Sequence, residues 1–194
     1  AGVFQCEMVE PMEFTRFMPA SDIGIGEPNS PLVIGISAGG STSRVVEAMR
    51  KANEMGAFTI ALTNNGESPV AKEAKRSFVL NTPKMQDDFP GLRSYFASMV
   101  GLIAIACRLG RVRNVLPPGS DRVLAESVKA YVHRYAGVLE ELDNRMFELA
   151  GTWKDLERFD FIGDGKELYS ALFAMEKFIE CNGVMANYDD AENW

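Results

Sequence analysis

The run Ser37-Ala38-Gly39-Gly40-Ser41-Thr42 sets three hydroxyls around two glycines. That combination suits the capture of an anion. Where a strand ends and a helix begins, the first backbone N–H groups of the helix have no internal partner and point at whatever lies before them. Glycines at 39 and 40 let the backbone approach phosphate oxygens closely, and Ser37, Ser41, Thr42 and Ser43 add hydroxyl donors. A simple helix N-cap at Ser41 or Thr42 accounts for one hydroxyl, not for three flanking two glycines. No Gly-Lys-Ser/Thr follows, which excludes a Walker loop.

Such a turn needs a strand before it and a helix after it. Pro31-Leu32-Val33-Ile34-Gly35-Ile36-Ser37 is a short unbroken apolar run, the pattern of a strand buried on both faces. From Thr42 the apolar positions Val45, Val46, Met49 and Ala52 fall at helical spacing, closed by Gly56. Residues 58–63 read as a second strand, Asn64-Asn65-Gly66 as its loop, Ser68-Pro69 as the opening of a short helix over 70–75, and residues 77–80 as a third strand. An apolar helix over about 91–109 follows. This alternation implies a parallel α/β sheet joined by right-handed crossovers, with ligands placed at the carboxyl ends of the strands.

After Pro117-Pro118-Gly119 the composition shifts to a charged stretch, read as one connecting helix over 121–150 with Val128, Val132, Tyr135, Leu139 and Leu142 on one face. Residues 158–165 then read as a strand running into a glycine turn, and residues 168–179 as a helix. The expected division is a first domain over 1–118, a connecting helix over 119–152, and the start of a second, similar domain over 153–194, stopping before it has strands enough for its own sheet. Residues 3–9 are expected to form a strand at the outset. With no initiator Met and a second unit that stops early, the chain reads as an interior portion of a longer polypeptide.

Composition narrows the function classes. The 194 residues are 46% hydrophobic and carry a net charge of −7, which argues against a binder of nucleic-acid backbones but not against a small anion held by backbone dipoles. The apolar run at 94–109 is expected to be too short and too interrupted to span a bilayer, so no membrane partner is expected. No secretory signal opens the chain, and a cytoplasmic location is expected. Cys6, Cys107 and Cys181 are an odd number at wide spacing, suited to reduced thiols. The single histidine, His133, sits among Lys129, Arg134 and Glu140 as a surface residue. No metal or redox cofactor is expected.

The residues around the turn resemble the SIS (sugar isomerase) domain, as found in the isomerase half of glucosamine-6-phosphate synthase and in fructosamine-6-phosphate deglycases. Ile36-Ser37-Ala38-Gly39-Gly40-Ser41-Thr42 is similar to that family's Ser-x-Ser-Gly-x-Thr turn. Residues 56–68, with Thr63-Asn64 and Ser68-Pro69, resemble the segment after its first crossover helix. Gly91-Leu92-Arg93-Ser94 resembles the stretch before its long helix, whose serine lies at the sugar-phosphate site. The resemblance implies a flavodoxin-like three-layer sandwich, phosphate or sugar contacts from Ser37, Ala38, Gly39, Gly40, Ser41, Thr42 and Ser94, and a homodimer or higher homo-oligomer whose pocket is completed across subunits. Gly39 stands where the family has a second serine, removing one hydroxyl ligand. Tyr95 and Phe96 replace its Thr-Lys. The family's first strand, with a Gly-x-Ser turn, would precede Ala1.

The resemblance also implies a reaction, either aldose-ketose isomerisation or deglycation of a sugar phosphate or amino-sugar phosphate, in which a base moves a proton beside a carbonyl carbon. Lys177-Phe178-Ile179-Glu180 has the family's Lys-x-x-Glu spacing. From spacing alone this is an ordinary surface ion pair. The resemblance makes Glu180 the candidate base and Lys177 its modulator. Glu176 projects to another side of the helix. Glu192 resembles the glutamate preceding the family's mobile histidine. A sensor that binds a phosphosugar without turning it over is the competing reading, although no basic helix-turn-helix accompanies it.

Overall fold

The computed structural model describes residues 6–23, 31–83 and 91–194. It divides into two compact units, Ala1–Val123 and Leu124–Trp194.

In the first unit, β1 (Leu32–Ile36), β2 (Phe58–Thr63) and β3 (Arg76–Val79) form a parallel sheet in the order β1-β2-β3. The register runs Leu32 against Phe58 to Ile36 against Leu62, then Ile60 against Arg76 to Thr63 against Val79. Side chains alternate across a strand, so Ala61 and Leu62 face opposite ways. Ala61 packs with Val45 and Met49 of α2 (Ser43–Glu54) and with Val70 and Ala71 of α3 (Pro69–Glu73). Leu62 lies against Gly101 of α4 (Leu92–Val112). Helices therefore cover both faces of the sheet, as the parallel α/β expectation requires. Met49, Leu62 and Val70 are wholly buried, each contributing about 1.5–3 kcal/mol. At Gly35 a Cβ would come within 2.5 Å of Met49 Sδ. Glycine there lets α2 lie close on the strand that leads to the turn.

A helix absent from the expectation, α1 (Pro11–Arg16), precedes the sheet. The strand expected over 3–9 is not found. Residues 3–5 lie outside the described residues, and residues 6–10 form no regular element before Pro11 starts the helix. Proline at the first helical position has no N–H to satisfy and a φ already suited to a helix. Phe14 of α1 sits over Ala48, Ala52 and Ala57, three small residues that leave room for its ring. The Lys51 ammonium donates to the carbonyl oxygens of Phe14, Thr15 and Met18 at 3.0, 2.8 and 3.0 Å.

The apolar segment expected to be too short for a bilayer is 21 residues long as α4, enough by length and composition to cross one. Its Gly101 is nonetheless closed against Leu62 and Leu80, and its Cys107 is buried, as in a helix that packs on a sheet.

The single connecting helix expected over 121–150 is two helices, α5 (Ser120–Ala136) and α6 (Leu139–Trp153). The break falls at Gly137 and Val138, where glycine costs a helix interior about 1 kcal/mol relative to alanine. In the second unit, β4 (Arg158–Gly163) is followed by α7 (Glu167–Asn182) and by β5 (Met185–Asp190). The expectation of too few strands for a sheet is corrected, because β4 and β5 pair in parallel along their whole length, Arg158 against Met185 to Gly163 against Asp190. Phe178 of α7 packs against Phe159 and Phe161, each 4.9 Å away between ring centres.

Candidate functional site

The turn between β1 and α2 is tied down on one side and open on the other. Ser37, the last residue of the strand path, is buried and donates its N–H to Leu62 O at 3.1 Å. The Ala38 carbonyl then accepts two bonds, from Asn64 N at 2.8 Å and from Thr63 Oγ1 at 3.1 Å. Gly40 O accepts Val70 N at 3.0 Å. Gly40 itself has φ +71, and a Cβ there would overlap the Ser68 side chain and come within 2.9 Å of Thr63 Oγ1. Both the left-handed backbone and the lack of space demand glycine. Gly39, by contrast, is exposed, with Ser41 Oγ the nearest atom to a Cβ at 3.8 Å.

The open side is the start of α2. Thr42 occupies the N-cap position in extended backbone, yet its hydroxyl makes no capping bond. It bonds instead to the Ser37 hydroxyl, oxygen to oxygen 3.0 Å. Among the described residues, the N–H groups of Ser41, Thr42, Ser43 and Arg44 donate to no acceptor. At α3 the ordinary arrangement holds, with Ser68 Oγ accepting Ala71 N at 3.3 Å. One helix is closed by its own serine while the other keeps its donors and dipole free for an anion. The Ser37 and Thr42 hydroxyls share one proton between them in their mutual bond, so the second proton is available to a bound oxygen.

The structure thus brings Ser37, Gly40, Ser41 and Thr42 into one cradle. Ala38 has another part in it, since its carbonyl anchors the turn to β2. Ser94 lies in the first turn of α4, half-buried, its hydroxyl without a hydrogen bond among the described residues. Tyr95 is half-buried and Phe96 exposed on the same turn. Thr82 had no signal in the sequence. Its N and Oγ1 donate to Asn64 Oδ1 at 3.2 and 2.7 Å, bracing the residue beside the turn.

Lys177 and Glu180 stand in the second unit, on α7, with Nζ to Oε2 at 2.5 Å. The Glu180 side chain is half exposed, while the Lys177 side chain lies over Phe173, 5.2 Å from the ring centre. Glu176 is exposed, as is Glu192 in the turn after β5, whose N–H bonds Asp190 Oδ1. On the outward face of β4, hydrogen bonds from Arg158 and from cross-strand Asn187 to Asp160, each 3.1 Å, hold its carboxyl below the usual value. His133 is exposed on α5, and Cys6, Cys107 and Cys181 are free thiols.

These features define a parallel α/β unit with an uncapped helix N-terminus at its strand ends. Residues 28–107 match the family model of the SIS domain. It is 24% identical over 168 residues to the isomerising glutamine–fructose-6-phosphate aminotransferase of Halobacterium salinarum, a match covering 86% of this chain and 27% of that protein. In fold it is similar to a candidate phosphosugar isomerase of Clostridium difficile (TM-score 0.82, 15% identity, 94% of this chain and 50% of that one). It is also similar to the C-terminal domain of glucosamine-fructose-6-phosphate aminotransferase of Francisella tularensis (TM-score 0.73, 20% identity, 89% and 49%). The chain spans under a third of the curated relative's length and about half of each solved structure.

The contrast between the two glycines gives a direct test. Gly40→Ala is expected to lower the melting temperature, because the Ser68 contact and the positive φ both resist a Cβ. Gly39→Ala is expected to melt like the parent. Equal melting temperatures for the two variants would show that the turn is not held as described.

Proposed function

We propose that the chain is the phosphosugar-binding part of an enzyme that moves a proton on a sugar phosphate or amino-sugar phosphate, as an aldose-ketose isomerase or a deglycase. The observation that carries this reading is the uncapped start of α2, with Thr42 bonded to Ser37 rather than to its own helix. In the proposed complex, Ser41 and one of the bonded pair Ser37 and Thr42 donate hydroxyl protons and residues 39–44 donate amides to the phosphate, at hydrogen-bond distances of about 3 Å. The names of the similar proteins support a phosphosugar ligand. Ser94 is proposed to face the same ligand from α4. The free thiols fit the reducing cytoplasm.

Replacing both Ser37 and Thr42 with Ala is expected to weaken binding of fructose 6-phosphate by about tenfold or more, the scale of one or two hydrogen bonds to a charged group. Binding of unphosphorylated fructose should change little. Calorimetry that shows equal losses for both sugars overturns the assignment of this turn to phosphate.

For the chemistry we assign the proton transfer to Glu180. An enediolate forms when a base removes the proton from the carbon beside the carbonyl; the hydroxyl proton of that carbon passes to the former carbonyl oxygen, and the same base returns its proton to the former carbonyl carbon. The Lys177 ammonium, itself held by the Phe173 ring, fixes one carboxylate oxygen and leaves the other free. Glu180→Gln keeps the shape and removes the base, so turnover of the full-length enzyme should fall by roughly a hundredfold or more while sugar-phosphate affinity stays near normal. Unchanged turnover places the base elsewhere.

We further propose a homodimer. α5 and α6 leave Val132, Tyr135, Leu139 and Phe147 exposed, more apolar surface than a solitary helix pair normally shows to water. Light scattering at micromolar concentration should give twice the chain mass, and the double variant Leu139→Asp, Phe147→Asp should give one. A monomeric parent with activity intact overturns the dimer.

A further inference from the structure

Asn64 stands at the carboxyl end of β2, the middle strand, and its backbone N–H bonds Ala38 O at 2.8 Å. It is therefore beside the 37–42 turn, one strand over on the β3 side. Its side-chain oxygen accepts two bonds, from Thr82 N and Thr82 Oγ1. A backbone N–H can only donate, so the atom facing Thr82 must be the oxygen of the carboxamide and the NH2 must lie on the other side. Those two bonds occupy both lone pairs of the oxygen and fix the plane of the amide. The Nδ2 group has no acceptor among the described residues, and the side chain is only half-buried. Its neighbour Asn65 differs, because Asn65 Oδ1 closes the local turn by accepting Glu67 N at 3.0 Å.

A donor oriented by two bonds and left without an acceptor, at the end where parallel sheets place their ligands, is a preformed contact. Neighbouring strands lie about 4.8 Å apart, so Asn64 addresses a part of the ligand displaced from the phosphate over α2. A neutral amide donor matches a hydroxyl or carbonyl oxygen. We infer that Asn64, oriented by Thr82, is a specificity-determining residue whose Nδ2 donates to an oxygen of the sugar portion of the ligand. This rests on the phosphosugar reading above.

The test is calorimetry on the full-length protein with three probes: inorganic phosphate, fructose 6-phosphate and glucosamine 6-phosphate. Asn64→Ala should weaken at least one of the two sugar phosphates by about three- to tenfold, the scale of one neutral hydrogen bond, and leave inorganic phosphate unchanged. Thr82→Val removes one of the two bonds that orient the amide, and should weaken the same sugar phosphate in the same direction by less. It carries the test alone if Asn64→Ala fails to fold. Wild-type affinity for both sugar phosphates in folded variants overturns the inference. So does a parallel loss for phosphate and sugar phosphates, which would make Asn64 a support of the turn only. If the parent binds inorganic phosphate but neither sugar phosphate, the proposed function falls, and this inference with it.

Discussion

The Ala38 carbonyl is the point on which the candidate site depends. By accepting both the Asn64 N–H and the Thr63 hydroxyl, it fixes the 37–42 turn to the central strand. Gly40 then passes close over Ser68 and gives its own carbonyl to Val70. With the Ala38 and Gly40 carbonyls engaged inward, the N–H groups of residues 41–44 are left without acceptors among the described residues. The free donors at the start of α2 are thus a product of where the acceptors have gone. The same loop holds Ser68 to its capping bond with Ala71 and Thr63 to the N–H of Asn65 at 3.2 Å. Wholly buried or nearly so, Thr63 and Ser68 leave no polar side-chain atom of theirs without a partner.

Much of the first unit was legible because its signals are local. The apolar run at 32–36, the helical spacing of Val45, Met49 and Ala52, and the Ser68-Pro69 start each name their element without help from the rest of the chain. The hydroxyl-glycine cluster at 37–42 was legible for the same reason. What escaped depends on partners remote in sequence. Nothing in Pro11–Arg16 announces a helix that exists because Phe14 finds a socket of alanines more than thirty residues away. Thr82 gains its part only through Asn64. The sequence Met185-Ala186-Asn187-Tyr188-Asp189-Asp190 carries too many polar residues to read as a strand, and its extended form follows from pairing along β4. The break between α5 and α6 was missed for the opposite reason, since an apolar face that continues across Gly137 suggested continuity where the backbone did not provide it.

In the second unit the aromatic contacts of Phe178 with Phe159 and Phe161 set the face that α7 turns to the sheet. A helix that turns Phe178 to the sheet must turn Lys177 and Glu180 to other directions, and Ala171 is the buried residue on that helix. Gly163 completes the arrangement, because a Cβ there would overlap the backbone of Glu167 and force the start of α7 away from the strand. The Lys177–Glu180 pair is accordingly carried on a helix whose rotation is determined by packing, independent of the charges it presents.

The contact of Lys51 with the end of α1 has a consequence for how the first unit comes apart. An ammonium with three donors is satisfied by three carbonyls belonging to residues 14, 15 and 18, and it can release α1 only by giving up all three together. Detachment would also strip Phe14 from Ala52 and Ala57, which are wholly buried. Local opening of this segment therefore bares the face of α2 that carries Ala48 and Ala52. A protease that cuts within the short N-terminal helix acts on molecules in which Phe14 has left its socket and the alanines beneath it are open to water.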